Sequence, residues 1–335
     1  MMRFTTATTL PILLLLLSTL FGGWWIVASL TYMTGLVFFL DTVIQDTAGT
    51  DTDAEFPASD ALLIAIGCAH FPLMALVVWS LVQQPFSLAE DIALFMASGL
   101  FFGQIGNSTA HELIHRPKRW LHRLGMWMYV SLLFGHHTSA HVLVHHRHVA
   151  TDADPSSSKL GESFYAFALR AWIGSFALGY LAEKERLSKI GGPASQNPYI
   201  IYCLGAFGFL LIAYQSLGLS GLATFATLAL YATAQLLLSD YVQHYGLRRG
   251  LRDGKAEPVN NTHSWNSPHP FSSAMMLNAP RHSDHHARPS KTFPKLEIPD
   301  ESPTLPRSLP TMATLALFPT LWRRVMDPRA LKWQR

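Results

Sequence analysis

Apolar runs separated by polar segments dominate the pattern of this chain. A helix that crosses a bilayer needs about 20 mostly apolar residues, and runs of that order lie at about 62–82, 88–110, 199–217 and 222–242. An earlier run, at about 4–44, is too long for one crossing, since its helix would reach about 60 Å. Gly22 and Gly23 near its middle predict the tip of a hairpin. The pattern predicts an all-α integral membrane protein of about six transmembrane helices, arranged as hairpins over residues 4–44, 62–110 and 199–242.

The placement of positive residues supports this arrangement. Between Arg3 and Arg116 the sequence has no Lys or Arg, and a basic run follows at Arg116, Lys118, Arg119 and Arg123. Because Lys and Arg collect on the cytoplasmic side of membrane proteins, an even number of crossings should separate the two positive ends. Four transmembrane helices meet this requirement, and the acidic loop from Asp46 to Asp60 then also lies on the cytoplasmic side. A cleaved signal peptide over residues 1–30 is the alternative, although Gly-Gly-Trp-Trp offers no small-residue cleavage site.

The polar segments 111–195 and 244–335 are predicted to form a cytoplasmic cap on one domain that spans residues 1–335. Within the first segment, Phe164 to Leu187 is predicted to be a helix along the membrane interface. Cys68 and Cys203 lie in apolar segments, so they are expected to be buried and to form neither a disulfide framework nor a thiolate metal site. A formal net charge of +3 gives no reason to expect nucleic acid as a partner.

Sixteen histidines are many for a chain with 25 Lys+Arg. They gather in three clusters, and one more stands at the end of the last apolar run. Pairs four residues apart share one face of a helix, and neutral imidazole suits iron, copper, nickel or zinc. Four ligands saturate one tetrahedral zinc, so nine candidates indicate two metal ions. The candidate ligands are His111, His115, His141, His145, His146, His244, His282, His285 and His286.

Other polar residues are candidates to support these ligands through the second ring nitrogen of each imidazole. They are His136, His137, His148, His263, Glu112, Asp240, Gln243 and Asp284. The isolated His70, His122 and His269 are expected to be structural. The pattern His-Glu-x-x-His at 111–115 also occurs in zinc metalloproteases, with the glutamate as base. The two further clusters and the apolar runs argue against that interpretation.

At these residues the chain resembles the membrane-bound, histidine-rich diiron oxygenases, which include alkane 1-monooxygenase, the xylene monooxygenase hydroxylase subunit and the fatty acid desaturases. It looks most like alkane 1-monooxygenase. The resemblance runs from about residue 10 to the end. The matching phrases are His-Glu-Leu-Ile-His at 111–115, His-His-Arg-His-Val-Ala-Thr-Asp-Ala-Asp-Pro at 145–155, Tyr-Val-Gln-His-Tyr-Gly-Leu at 241–247, His-Ser-Trp-Asn-Ser at 263–267, Arg-His-Ser-Asp-His-His-Ala at 281–287 and Val-Met-Asp-Pro-Arg at 325–329.

The resemblance implies a histidine-rich diiron cap with two non-haem Fe ions on the nine histidines, and no catalytic side chain beyond that centre. It implies O2-dependent hydroxylation of the terminal methyl of medium-chain n-alkanes to 1-alkanols. The implied partners are rubredoxin, with rubredoxin reductase, or a ferredoxin-type donor, together with a hydrophobic small-molecule substrate and membrane lipid. The implied location is the bacterial inner membrane, with the active site on the cytoplasmic side.

Three positions depart from the alkane pattern. The family usually has glutamate at the positions of Ala140 and Gln243, and asparagine at Asp240. Alanine and glutamine at the first two positions look more like the xylene enzyme. An aryl-methyl monooxygenase or a lipid desaturase or hydroxylase therefore remains an alternative. A metal transporter or sensor is a third reading, and it would place its ligands at mid-membrane.

Two further expectations concern surfaces. Aromatic residues on apolar helix faces could line a substrate cavity between helices, or else contact lipid or neighbouring helices; the residues are Trp24, Trp25, Phe101 and Phe102. Positive residues near the histidine clusters could dock an acidic electron donor, or could reflect membrane topology alone; the residues are Arg119, Arg123, Arg248 and Arg249.

Overall fold

A computed structural model of the chain describes residues 1–44 and 56–334. Most of the predicted acidic loop lies outside these described residues. Among them, the strands are the short antiparallel pair β1 (Leu251–Arg252) and β2 (Lys255–Ala256). The helices are α1 (Met2–Phe21), α2 (Trp24–Val43), α3 (Phe56–Gln83), α4 (Leu88–Ile114), α5 (Arg119–Ser131), α6 (residues 137–148), α7 (Phe164–Lys189), α8 (Tyr199–His244), α9 (Pro270–Met275), α10 (His282–Ala287), α11 (Leu309–Ala316) and α12 (Pro319–Trp333).

The first long apolar run folds into the predicted hairpin of α1 and α2. Gly22 and Gly23 both have positive φ, 62° and 54°, which glycine adopts without steric cost. The two helices then pack side by side, since the Ser18 and Ser29 hydroxyl oxygens lie 2.7 Å apart. Deeper in the hairpin, the Tyr32 hydroxyl donates to the Ala7 carbonyl at 3.1 Å.

The turn between α3 and α4 lies at the same face as the tip of this hairpin. Ser87 begins α4 with a capping box, because its hydroxyl accepts from the Glu90 amide while the Glu90 carboxylate accepts from the Ser87 amide at 2.9 Å. The same carboxylate accepts from the Gly23 amide at 3.0 Å. Both turns therefore lie on the face away from the histidines.

Helix α8 is a second helical hairpin. It breaks at Gly218, whose φ of 66° is not helical. The rings of Phe209 and Phe225 lie 6.1 Å apart across this break, whereas a straight helix would separate those residues by about 24 Å. The predicted division into two apolar helices near Gly218 matches this geometry.

Six helices in the described part of the chain are long and apolar enough to cross a membrane: α1, α2, residues 58–83 of α3, α4, α7 and α8. Helix α7 qualifies by length and composition, but its two ends lie at one level. Phe164 at its start packs on Tyr241 with ring centres 5.9 Å apart, and Glu183 near its end accepts from the Ser139 hydroxyl at 2.6 Å. These contacts favour the interfacial position predicted for α7 and leave six crossings, two of them in α8.

The helix ends opposite the two turns gather on one face, called here the histidine face. The Phe4 and Phe293 rings meet at 5.0 Å, and the Asp41 carboxylate accepts from the Ser272 amide at 3.0 Å. The Arg116 guanidinium reaches the Asp60 carboxylate at 3.3 Å. The start of α1, the end of α2, the start of α3 and the end of α4 therefore lie together, as an even number of crossings requires.

Helices α4 and α8 pack at very short range through Gly99 and Gly103. A Cβ atom at Gly103 would lie 2.6 Å from the Gln235 Cβ and 2.9 Å from the Ala232 carbonyl oxygen. Small residues spaced in this way let two membrane helices approach closely. The close approach sets the width of the space between the two helices on the way to the histidines.

The expectation that both cysteines are buried was wrong. Cys68 and Cys203 are exposed, because a membrane helix presents apolar residues to lipid as readily as to its neighbours. The aromatic residues follow the alternative of lipid or helix contact, since Trp24 is exposed and Phe101 and Phe102 pack in the helix core. Neither of the two cavities described below is lined by any of the four aromatic residues suggested for that role.

Replacing Gly103 with alanine should lower stability by about 1–3 kcal/mol, the usual effect of overpacking, because the new methyl group meets α8 backbone and Cβ atoms. Thermal unfolding of the detergent-solubilised protein measures the change. Gly208→Ala is the matched control, since a Cβ there has nothing within 4 Å. Equal unfolding midpoints for the two variants would contradict the close-packing interpretation.

Candidate metal centre

Four elements deliver the nine candidate histidines to the histidine face. Helix α4 ends in His111 and His115 and α8 ends in His244, while α6 and α10 contribute three residues each. The imidazoles form two groups, and within each group the candidate ligand nitrogens all lie within 4.8 Å of one another. The five-histidine group consists of His111, His115, His141, His146 and His285; the four-histidine group consists of His145, His244, His282 and His286.

A π-helical turn, His141–His145, divides the α6 histidines between the two groups. In this wider turn the residues five apart meet, and the Nε2 atoms of His141 and His146 lie 3.0 Å apart. His145 instead turns toward His244, with ring centres 4.7 Å apart. The α-helical spacing expected for His141 and His145 therefore does not place them in one group.

Helix α10 divides its histidines by ordinary α-helical spacing. His282 and His286, four residues apart, have Nε2 atoms separated by 3.0 Å. His285 lies on another side of the helix and approaches His146, with Nε2 atoms 3.2 Å apart. One short helix thus supplies both groups.

The convergence of ring nitrogens fits bound cations. The Nε2 atoms of His111 and His141 lie 2.8 Å apart. Each neutral imidazole has one N–H group and one nitrogen lone pair, so at most one of these two atoms can donate a hydrogen bond to the other. In the described part of the chain, the His115 and His145 Nε2 atoms are buried without a hydrogen-bond partner. Buried lone pairs pointing into a shared space are stabilised by metal ions, and imidazole sets of this kind suit divalent transition metals.

Burial keeps four imidazoles of the five-histidine group in the neutral form that binds metals. It lowers the pKa of His115 to about 4. Burial, reinforced by neighbouring imidazoles, also holds the pKa of His141, His146 and His285 well below the ordinary value. Metal binding at these residues consequently needs no deprotonation near neutral pH.

Asp154 holds His145 in a defined orientation, and the sequence analysis did not identify this role. Its carboxylate lies 2.8 Å from His145 Nδ1 and accepts from the Ser157 hydroxyl at 2.7 Å. Burial opposes a charge on His145, but the attraction and hydrogen bond of Asp154 outweigh it and raise the His145 pKa. Carboxylate–histidine pairs of this type orient metal ligands. The nine-residue separation carries no helical periodicity, so only the Asp-Pro phrase at 154–155 pointed to this position.

The histidines suggested as supports lie in different surroundings. The His137 ring is 4.9 Å from that of His141. His136 Nε2 lies 3.1 Å from the Ser175 hydroxyl, and His148 is exposed. His263 is buried, and its Nε2 lies 3.3 Å from the Glu257 carboxylate. Of these four side chains, the His137 ring packs against a candidate ligand, with the two ring planes tilted by 33°.

Of the eight suggested supports, His137, Asp240 and Gln243 line the cavity beside the histidines. The Glu112 carboxylate accepts from the Phe293 amide at 3.3 Å and faces Arg116 at 3.6 Å, which gives no support to a role as a protease base. Asp284 is fully buried and pairs with Arg288 and Lys291. The isolated histidines have structural partners: Ser131 for His70, the Ile114 carbonyl for His122 and Ser267 for His269.

Two neighbouring cavities lie between the lipid-facing surface and the histidines. The inner cavity is bounded by histidines of both groups, including His111, His141 and His282. The outer groove runs between α2, α4, α8, α11 and α12 and is lined by the exposed Phe38 and Phe318. The residues that line both are Gln104, Gln235, Pro310 and Ala313.

Asp154→Asn should weaken metal retention by about 10- to 100-fold, the usual effect of losing the charged partner of a ligand histidine. Metal analysis of the purified protein after dialysis against a chelator measures the loss. Asp152→Asn is the matched control, because Asp152 is exposed and pairs with Arg248. Equal retention by the two variants would remove Asp154 from the support of the site.

Comparison with known proteins places the chain in a family. The fatty acid desaturase family profile matches residues 92–314. Alkane 1-monooxygenase 2 of Pseudomonas aeruginosa is 33% identical over 316 residues, covering 91% of this chain and 83% of the relative. Alkane 1-monooxygenase 1 of Alcanivorax borkumensis is 31% identical over 335 residues, covering 93% and 80%.

A more distant relative is the xylene/toluene monooxygenase hydroxylase component of Pseudomonas putida, which is 28% identical over 239 residues, covering 68% of this chain and 61% of the relative. The alkane 1-monooxygenases match more of the chain at higher identity. The multi-pass helices and the two histidine groups agree with these matches. The chain is thus a membrane-bound oxidoreductase that belongs to the alkane 1-monooxygenase family, within the fatty acid desaturase superfamily.

Proposed function

We propose that this protein is a non-haem diiron monooxygenase that hydroxylates the terminal methyl group of medium-chain n-alkanes to 1-alkanols. The observation that carries the proposal is the meeting of two largely buried histidine groups beside an inner cavity that adjoins a lipid-facing groove. The names of the relatives support alkanes as the substrate class. O2 is the oxidant, and a reduced rubredoxin or ferredoxin-type protein supplies the electrons.

In this proposal one iron lies in each histidine group. Bound iron supplies the redox chemistry that activates O2, since acid–base side chains have no means to break an unpolarised C–H bond. In the overall reaction one oxygen atom enters the substrate and the other leaves as water, with two electrons and two protons taken up. Asp154 orients His145, and burial keeps His141 neutral.

The chain's own residues bring the substrate to this site. The outer groove offers apolar side chains of α2, α4 and α12 to a hydrocarbon partitioned in the membrane, including Met33, Leu100 and Leu321. The substrate then passes between α4 and α8 toward His111 and His282. Such a path avoids transfer of the hydrocarbon through water, which is unfavourable in proportion to its apolar area.

The position of the site within the molecule favours an enzyme over a metal transporter. A transporter binds its ion near the middle of the membrane between broken helices. Here the histidines lie at the ends of α4 and α8 and in the polar elements α6 and α10. We assign the histidine face to the cytoplasmic side of a bacterial inner membrane, because Arg116, Lys118 and Arg119 follow α4 on that face.

The electron donor is proposed to dock at α5. Arg119 and Arg123 on this helix are exposed, so their charges are accessible to an acidic partner. Arg248 instead pairs with Asp152 at 3.5 Å, and Arg249 donates to the Arg147 carbonyl at 3.0 Å. These contacts give Arg248 and Arg249 structural roles and leave α5 as the stronger candidate surface.

His115→Ala and His145→Ala, one from each histidine group, should both lower iron content and reduce octane oxidation by more than about 100-fold, beyond the effect of losing a supporting group. Iron analysis and gas chromatography of products from an alkane series measure the two effects, with toluene as the test of an aryl-methyl preference. His269→Gln is the control, since His269 bonds the Ser267 hydroxyl and belongs to neither group. Full iron and activity in either alanine variant would contradict the assignment.

Reversing the charge of Arg119 and Arg123 together to glutamate should slow reduction by an acidic donor about tenfold at low salt and flatten its salt dependence, as loss of electrostatic steering predicts. Stopped-flow reduction across a salt series measures both quantities. The control for net charge is Arg324→Glu together with Arg329→Glu, since both arginines are exposed on α12. A rate and a salt slope unchanged from wild type would reject docking at α5.

A further inference from the structure

The outer groove carries one positive charge. Arg307, which lies just before α11, is exposed and is the only charged residue among the described residues that line the groove. Within residues 1–44 and 56–334, no carboxylate pairs with its guanidinium. The other lining residues are uncharged, and most of them are apolar. An exposed arginine at the edge of an apolar groove indicates a ligand that has both an anionic and an apolar part.

Arg307 lies at the histidine face. Burial lowers the pKa of His269, and the charge of Arg307 lowers it further, so the two side chains lie close together. His269 directly precedes α9, whose Ser272 amide donates to the Asp41 carboxylate near the end of α2 at 3.0 Å. The guanidinium is therefore at the level where the membrane helices end and lipid head groups begin.

From Arg307 the groove runs down into the apolar part of the bundle. On α2 its lining begins at Phe38, one helical turn before Asp41. It continues to Met33, which is about 12 Å deeper than Asp41 at 1.5 Å per residue. That depth is most of one leaflet, because the hydrocarbon core of a bilayer is about 30 Å thick. The groove thus has the polarity and the depth of one lipid molecule in the leaflet at the histidine face.

We propose that the outer groove binds an anionic phospholipid, whose phosphate pairs with Arg307 and whose acyl chain lies along the groove. An arginine guanidinium matches a phosphate in geometry and donates two parallel hydrogen bonds to it. A hydrocarbon substrate has no group that pairs with this charge. The inference rests on the proposed function as far as substrate entry is concerned, because it assigns the lipid and the alkane to the same groove.

An acyl chain in this position competes with the substrate. The groove and the inner cavity share four lining residues, Gln104, Gln235, Pro310 and Ala313. A chain that covers these residues closes the way from the groove to the histidines, and an alkane enters only by displacing it. The anionic lipid content of the membrane then raises the KM for alkane and leaves kcat unchanged.

Native mass spectrometry tests the binding. Iron-loaded protein is released from nanodiscs that contain phosphatidylglycerol and phosphatidylcholine in equal amounts, and the retained lipids are identified. Wild type should retain phosphatidylglycerol, and added octane should displace it. Arg307→Gln should lower the ratio of retained phosphatidylglycerol to phosphatidylcholine about fivefold, the effect of one charge at an anionic membrane surface. Arg307→Lys should keep most of the wild-type ratio.

Matched variants locate the lipid in the groove. Arg329→Gln is the control for charge, because Arg329 is exposed on α12 and lines neither cavity. Gly35→Leu places a side chain inside the groove, where a Cβ has nothing within 4 Å, and should lower the retention of both lipids. Gly208→Leu is its control, since a Cβ there is equally unobstructed but lies outside both cavities. Both controls should equal wild type.

Turnover gives the second readout. With saturating reduced donor, the KM of wild type for octane should rise with the phosphatidylglycerol fraction of the nanodisc while kcat holds, and Arg307→Gln should show a smaller rise. A KM independent of phosphatidylglycerol, or equal lipid ratios in wild type and Arg307→Gln, would overturn the inference. Wild type that retains the lipid but oxidises octane in no nanodisc would instead refute the proposed function.

Discussion

The constraint on which this molecule depends is the gathering of nine imidazoles whose nitrogens converge on two small volumes. Buried polar groups that lack partners are unfavourable, and here several ring nitrogens lie within 2.8–3.2 Å of one another. Such an arrangement persists only if the surrounding structure holds it. Bound cations would then relieve the repulsion of the facing lone pairs. The site thus depends on the fold before metal arrives and would stabilise the fold afterwards.

The membrane hairpins meet that constraint by returning every chain segment to one face. Gly22, Gly23 and Gly218 turn the chain on the opposite side, so the ends of α2, α4 and α8 gather beneath the C-terminal segment. Four separate stretches of sequence can then contribute ligands to one small volume. The same hairpins place a lipid-facing groove beside it, so that substrate access and ligand assembly come from one architecture.

Much of the fold and of the candidate metal centre was predictable from the sequence. Apolar run lengths and glycine positions gave the hairpins, and histidine spacing selected the nine residues that gather into two groups. What the sequence did not predict has physical causes. Asp154 reaches His145 through an irregular segment without periodicity, so spacing gave no sign of it. Cys203 lies in an apolar helix, where hydropathy does not separate lipid contact from core. His141 and His145 belong to different groups because the backbone between them winds as a π-helix. The residue types alone do not indicate that hydrogen-bond pattern.

The π-helical winding at His141–His145 affects how a histidine-rich metal centre of this type changes during evolution. A π-helical turn holds one more residue than the α-helical turn it replaces. If the same residues wound as an ordinary α-helix, every side chain after this turn would be rotated by about 100°. His141 would then face His145 instead of His146, although every histidine remained present. The partition of ligands between the two groups is therefore set by the winding of one turn, which an alignment that matches only histidines would overlook.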